Sequence, residues 1–464
     1  MDTQRTDLPR ALPLDLFVPV FCVLFSCGVV YFALMYERNH SISTWVPLGL
    51  FALAFVLSFM NRQIVAVNGA VIREVFELSQ FQLGLLYGTA FSVVYALSGL
   101  VMGWLADRWS RIGLITIGIL GWSAASLSGA FAQSFGMLVA GRLALGVFQS
   151  MLSPAVHAYM ADRFDVSSRT TVFSLYSSAI FIGIALSFLV GGSVAQWMDW
   201  RWAMAIVAVP GFLIAAAIGV VGRSLIERES SARQQETDVG KRNDDASVIF
   251  SESNRPGSSA WFMNPSIWLH LLGFSAMAVI GYTMLAFMGS ILAETHNRSD
   301  LIPMLGWFFF GVAATNIISG TWSDRLANQS GSLRYIPALV ALIGVPCYVM
   351  GVFAESPIVT FWLFGAGLWF CSSYNGLAAG LIQMYVPGSV RGQASALYLF
   401  VISMVGLGIG PALAGFLADT FTSQGFGNQS LPIALSVVIV SASILALGAF
   451  LLSMRRYTVD AIET

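Results

Sequence analysis

The chain has 464 residues, 57% hydrophobic and 10% charged, with a mean hydropathy of +0.76, where a soluble domain carries about 25% charged residues. That composition excludes a soluble globular protein and leaves an all-α integral membrane protein, since a spanning helix satisfies its own backbone in lipid. The net charge of −1 gives no electrostatic footprint for a nucleic-acid partner, so the bilayer is the first partner implied.

Taken in order, thirteen apolar runs emerge: about 14 to 36, 45 to 67, 81 to 105, 112 to 132, 135 to 160, 170 to 195, 202 to 223, 265 to 293, 301 to 322, 335 to 354, 358 to 385, 392 to 418 and 432 to 454. About 20 apolar residues suffice to cross the hydrocarbon core. Twelve of the runs make two sixes, and the first, with its tail 1–44, is read as an extra membrane helix. A cleaved signal peptide competes, but FALMYER (Phe32 to Arg38) is a poor cleavage site and the run is long. The N-terminal bundle is then 45–223, a polar cytoplasmic linker 224–262, the C-terminal bundle 263–454 and a tail 455–464. The linker, with SARQQETDVGKRNDDAS, is mixed in charge and poor in aromatics, the composition of a solvated tether. Cys22, Cys27, Cys347 and Cys371 all fall inside apolar runs without zinc spacing, which predicts packing residues.

A short motif recurs half a chain apart. Gly103 to Arg111 reads GWLADRWSR and Gly320 to Asn328 reads GTWSDRLAN, so G-x-x-x-D-R appears twice, 217 residues apart. A glycine that permits close helix approach, followed by a carboxylate and a guanidinium at the membrane surface, can latch helix ends. Each such contact is worth about 0.3 to 2 kcal/mol, which suits a gate built from Gly103, Asp107, Arg108, Arg111, Asp324 and Arg325. One copy alone reads equally well as a charged helix cap; repeated halves favour a transporter. With the Asp107 loop inside, sixteen Lys and Arg fall in inside loops and five outside. The C-terminus is then cytoplasmic, in a cell (inner) membrane, and the N-terminus is outside if the extra helix spans.

GWLADRWSR resembles the signature loop between the second and third helices of the major facilitator superfamily. The similarity narrows to the spinster-like branch through MNRQIVAV (Met60 to Val67), GLLYGTAFSVVYALSGLVMGWLADRWSR (Gly84 to Arg111), GRLALGVFQSMLSPAVHAYMADRF (Gly141 to Phe164), WRWAMAIVAVPG (Trp200 to Gly211) and VRGQASALYLFVISMVGLGIGPALAGFLAD (Val390 to Asp419). The resemblance implies two six-helix bundles around a central cavity, rocker-switch alternating access, and substrates such as lysolipids and sphingoid phosphates. Two positions depart from it. Family members usually carry Asp-Arg where this chain has Asn61-Arg62, and Gly-Glu where it has Phe148-Gln149. The carboxylates associated with proton coupling in the family are amides here, so that coupling does not carry over.

Arg62 and Arg142 are the two charges deep inside apolar runs. A charge at a helix centre costs at least about 2.5 to 3.5 kcal/mol, so it normally faces a cavity with a role. Hydrogen bonding to helix carbonyls, or snorkelling to an interface, is the plainer alternative for each. A cavity-facing arginine would recognise a carboxylate or phosphate bidentately, with Asn61 and Gln149 adding neutral hydrogen bonds. His157 is a possible protonation site or a packing histidine. Tyr282, Tyr374 and Asn375 are candidate cavity groups from the second half. The glycines in GIALSFLVGGSVA and GLGIGPALAG hold similar places in the two halves and predict close packing and bending. The expectation is a monomeric secondary transporter of an anionic, amphiphilic or aromatic organic solute such as a lysolipid-like molecule, without cofactor. A transporter-like ligand sensor is the rival. No nucleophile motif or metal constellation points to an enzyme, and Ser153-Pro154 reads as a helix feature.

Overall fold

The computed structural model describes residues 42–106, 108–163, 166–240, 264–327, 333, 335–382 and 391–460. The extra membrane helix expected at 14–36, Cys22 and Cys27, and the greater part of the linker lie outside the described residues.

Among the described residues, eleven segments are long and apolar enough to cross a membrane. They are α1 (Val46–Val67), α2 (Gln80–Ala106), α3 (Arg111–Ala130), α4 (Phe135–His157), α5 (Tyr176–Trp197), α6 (Trp200–Val221), α7 (Pro265–Thr295), α8 (Ser299–Ser323), α9 (Ile336–Phe353), α11 (Leu397–Ser423) and α12 (Gly427–Arg456). The shorter apolar helix Pro357–Cys371 is α10, so the twelve runs from residue 45 onward appear as two sets of six. The starts are written in cap residues that accept from orphan backbone N–H groups. Ser79 forms a capping box with Gln82 at α2, Ser110 accepts from Gly113 at α3, Ser134 from Met137 at α4, and Asn264 from Ser266 at α7. α6 does not stop at Val221: its helix runs on from Trp200 to Gly240, so the first part of the expected linker is helical.

The helices are interrupted where the two halves meet. π-helical turns occupy Leu85–Thr89 in α2, Ser187–Gly192 in α5, Ile291–Thr295 in α7 and Ser403–Ile409 in α11. The turn in α5 falls inside, and that in α11 runs into, the two glycine-containing stretches singled out above, at corresponding places in the halves. α4 breaks at Ser150–Met151, directly after Gln149, and the run expected at 358–385 breaks at Ser372–Tyr374, directly before Asn375. A broken helix frees carbonyls that a neighbour must satisfy in lipid. In the second half the carbonyls of Ser372 and Ser373 accept from Asn316 Nδ2 (2.9 Å) and from Ser319 Oγ, both on α8.

The halves are clamped at one end, that of Asp419. Asp419 accepts from the backbone N–H groups of Gln80 and Phe81, each at 2.9 Å, and so caps α2 from across the interface. Arg73 grips Glu294 with two bonds (2.8 and 3.1 Å), and Gln80 Nε2 donates to the same carboxylate at 3.1 Å. Glycines permit this closure: a methyl on Gly84 or Gly88 would collide with the backbone carbonyls of Pro411 or Leu407, and one on Gly306 would meet the Ala185 carbonyl at 2.6 Å. The repeated-motif glycines behave differently. Added methyls at Gly103 and Gly320 meet nothing within 4 Å, so the close helix approach expected of them is not made among the described residues.

Candidate functional site

In the last third of α1, the run Asn61-Arg62-Gln63 places three polar side chains in a largely apolar helix, and each turns a different way. Arg62, only 7% exposed, points along α2 and α4. Its Nε and Nη2 both donate to Gln149 Oε1, at 3.4 and 3.2 Å. Gln149 Nε2 in turn donates to the Ser58 carbonyl at 2.9 Å, which fixes the amide so that its oxygen faces the guanidinium. The guanidinium carbon lies 4.4 Å from the Phe59 ring centre, 4.5 Å from Phe91 and 4.9 Å from Tyr95. Cation–π attraction of this kind reaches about 2 kcal/mol when desolvated. Yet no ion pair among the described residues involves Arg62, so its formal charge is met by a neutral amide and three rings.

An arginine has two edges that can take an anion bidentately. Gln149 holds the Nε/Nη2 edge, which leaves Nη1, with the outer donor of Nη2, for a ligand. Tyr282 reaches in from the second half: it is half-buried and packs by its ring against Gly406 in the π-turn of α11. Tyr374 is buried one layer further into the second half, stacked on Phe274 with ring centres 5.8 Å apart. Asn375 follows it at the helix break, and its side chain lies outside the described residues.

Two expected ligand groups do other work. Arg142 donates to the carbonyls of Leu86 (3.1 Å), Tyr87 (2.9 Å) and Asn61 (3.4 Å), the first two within the π-turn of α2. In place of a cavity-facing anion receptor, the structure has an arginine spent on main-chain carbonyls, stapling α4 to α2 and α1. Asn61 turns away from Arg62. Its Nδ2 donates to Leu57 O (2.8 Å) and, across to α6, to Val207 O (3.1 Å), so the expected hydrogen bond beside Arg62 is not made. Among the described residues its Oδ1 has no partner, and Asn61 lines a void of about 10 Å³ together with Ser126 and Arg142. Gln63 accepts from Tyr87 Oη at 2.8 Å.

His157 sits edge-on to Tyr176 at 5.6 Å, and Tyr176 is stacked on Phe55 at 4.3 Å, a packing arrangement within the first bundle. His296, at the clamped end, bonds through Nε2 with Thr360 Oγ1 at 3.0 Å, and partial burial holds its pKa below the ordinary value. Of the gating residues, Arg108 lies exposed with its guanidinium 4.0 Å from the Trp104 ring. Arg111 opens α3, Arg325 is exposed near the end of α8, and Asp107 and the side chain of Asp324 lie outside the described residues. The aromatic clusters of α8 and α10 pack on one another: Trp369 Nε1 donates to Phe308 O at 2.9 Å, while parts of Trp307, Trp369 and Phe370 are exposed. Residues not foreseen from sequence are Tyr95, Asn316 and Ser319, and the clamp of Asp419, Gln80, Arg73 and Glu294. A pairing across 339 or 221 residues has no local signal in the sequence.

Two bundles of six helices, repeated in sequence and meeting along helices broken at polar residues, define a membrane transporter. A profile of the Major Facilitator Superfamily matches residues 51–304, more than half of the chain, and the chain belongs to that superfamily as a spinster-like transporter. It is similar to an MFS-type efflux pump of Mycolicibacterium smegmatis, 26% identical over 435 residues that cover 92% of this chain and 96% of the pump. It is also similar to a probable L-galactonate transporter of Escherichia coli (25% identical; 82% and 84% covered) and to the sphingosine-1-phosphate transporter SPNS2 of Xenopus tropicalis (25%; 80% and 73% covered). Among solved structures, a bacterial homolog of the human lysosomal transporter Spinster, inward-facing and unoccupied, superposes with a TM-score of 0.75 at 18% identity, covering 91% of this chain and 99% of that one.

Proposed function

We propose that the protein transports an anionic organic solute, amphiphilic or aromatic in character, by alternating access, and that Arg62 recognises the anionic group. The observation that carries this reading is the buried guanidinium whose one hydrogen-bonding partner among the described residues is the neutral Gln149. A charge at membrane depth without a carboxylate is stable only while something compensates it, and a substrate carboxylate or phosphate is the compensation with the right geometry. The rings of Phe59, Phe91 and Tyr95 hold the guanidinium flat and offer apolar surface beside it, while Tyr282 offers a hydroxyl from the opposite bundle. The relatives named for galactonate and sphingosine-1-phosphate both handle anions, one polar and one amphiphilic.

The reading of the states follows from the two ends. The Asp419 end, with its clamp and its glycine contacts, is the closed one, and Gly103 and Gly320 mark the end at which packing is unused. In the opposite state the Asp107 and Asp324 loops would close and the Asp419 clamp would release. By the Lys and Arg distribution, the Asp107 end and the C-terminus are cytoplasmic. Proton coupling through carboxylates at positions 61 and 149 has no group to act on, because an amide cannot exchange the proton that would bias the two states. The test is a thermal-shift panel on purified protein. Sugar acids, aryl carboxylates and lysophosphatidic acid should stabilise the wild type more than their neutral counterparts do, and this preference should vanish in Arg62→Gln. A panel in which neutral and anionic partners act alike would remove the basis for an anion site.

A further inference from the structure

A second site lies far from Arg62, on the lipid-facing side of the second bundle at the end where the chain leaves the membrane. α7 begins at Pro265 and α12 ends near Arg456, and between them runs an open groove of about 530 Å³ lined by Pro265, Trp268, Leu269, Leu272, Leu452, Arg455 and Arg456. Its floor follows from helix periodicity. Pro265, Trp268, Leu269 and Leu272 recur at three- and four-residue spacing along one face of α7, and Leu452 lies one turn before the two arginines on α12. Trp268 is 50% exposed, Leu272 42% and Leu452 52%, so the groove is an apolar channel left open to the surroundings. At its mouth Arg455 and Arg456 are both exposed, and among the described residues no ion pair involves either.

Apolar walls facing the bilayer, a tryptophan at the rim and two adjacent cations at the water boundary fit one kind of molecule. The walls match acyl chains, the indole sits at the depth of the headgroup region, and the paired guanidiniums match a phosphate ester. A soluble metabolite would leave the apolar floor unused, and a neutral or zwitterionic lipid would leave the arginines without a net counter-charge. We propose that this groove is a binding site for an anionic diacyl phospholipid, its phosphate held by Arg455 and Arg456 and its chains lying along Trp268, Leu272 and Leu452. The site shares no residue with the transport site and does not depend on what the protein carries. Basic grooves between membrane helices at the cytoplasmic boundary take anionic headgroups, each arginine near such a surface being worth about a factor of five in affinity.

The test uses the full-length protein, delipidated in detergent, with native mass spectrometry and thermal stability as readouts. Phosphatidylglycerol, phosphatidylcholine of the same chains, and free glycerol 3-phosphate are titrated separately. The expected result is retained phosphatidylglycerol adducts with a raised Tm, weaker binding of phosphatidylcholine, and no effect of glycerol 3-phosphate. The double variant Arg455→Gln/Arg456→Gln should weaken phosphatidylglycerol by about thirtyfold while leaving phosphatidylcholine unchanged. Arg455→Lys/Arg456→Lys, which keeps the charge, should retain most of the preference and guards against a folding defect in the glutamine pair. Equal binding of the two lipids, an unchanged preference in the glutamine pair, or a glycerol 3-phosphate effect as large as that of the lipid would each overturn the proposal.

Discussion

Replacing Asn61 by aspartate restores the residue that spinster-like relatives usually carry, yet the surroundings of Asn61 predict that the change is harmful here. The Asn61 amide donates both of its N–H groups to main-chain carbonyls, Leu57 O at 2.8 Å and Val207 O at 3.1 Å, in a residue with no solvent exposure. A carboxylate would place a charged acceptor against two acceptors. A protonated carboxyl could donate to one of them and would orphan the other, at about 1 to 3 kcal/mol. Keeping that proton at pH 7, against an ordinary carboxyl value of about 3.9, costs about 4 kcal/mol more at about 1.4 kcal/mol per pH unit. Arg142, whose Nη1 donates to Asn61 O at 3.4 Å while its Nε and Nη2 hold Leu86 O and Tyr87 O, offsets part of this cost, so the figure is an upper bound. The sign of the pH dependence follows. The protonation cost is absent below the unfolded carboxyl value and grows as pH rises, so Asn61→Asp should be nearer to wild type at pH 5 than at pH 7, by at most about 3 kcal/mol of relative stability. Thermal unfolding in detergent at the two pH values measures this. A variant as stable as wild type at both would show that Asn61 does not bridge α1 to α6 as described.

Three further outcomes follow from the same contacts. Gly88→Val should prevent closure of the Asp419 end, because the first added carbon already meets the Leu407 carbonyl; a single cysteine placed in the cavity should become more accessible from that side, and unchanged labelling would contradict the packing. Asp419→Asn leaves one acceptor for two N–H donors, at about 1 to 3 kcal/mol, and should shift the same labelling in the same direction with little loss of expression. Gln149→Glu should pair with Arg62 and neutralise it, so that binding of anions from the stabilising panel falls at least tenfold at pH 7 and recovers at acid pH; pH-independent binding in this variant would show that Arg62 and Gln149 do not face one another.

Much of this architecture was legible because hydrophobic length and cap residues are local signals. Ser79, Ser110, Ser134 and Asn264 mark helix starts within a residue or two of the apolar runs, and the duplicated G-x-x-x-D-R announces two halves. Arg62 stood out through its depth in lipid, where a charge demands an explanation, and Gln149 as a departure from the family pattern, with nothing to set it closer to Arg62 than Asn61. The directions of Asn61 and Arg142 were not legible. Adjacent residues on a helix point about 100° apart, so Asn61 can face α6 while Arg62 faces α4, and no pattern along α1 says which. Arg142 is drawn to carbonyls by a π-turn in α2 that the sequence does not announce, and Asn316 and Ser319 by a break after α10 that appears in sequence only as one long apolar run. The clamp of Asp419 on Gln80 and Phe81 depends on how two bundles dock, a relation carried by neither segment alone.

The claim on which the account rests is that Arg62 holds the anionic group of the transported solute. The direct measurement is uptake into proteoliposomes of the anion that most stabilises the wild type, alongside its neutral counterpart, for wild type, Arg62→Lys and Arg62→Ala. Loss of one desolvated charge-assisted pair costs about 2 to 5 kcal/mol, at least thirtyfold in affinity. The account predicts that Arg62→Ala abolishes saturable uptake of the anion, that Arg62→Lys retains it with a raised KM, and that whatever uptake the neutral analogue shows is unaffected. Equal loss for the charged and neutral solutes, or undiminished anion uptake in Arg62→Ala, would contradict it.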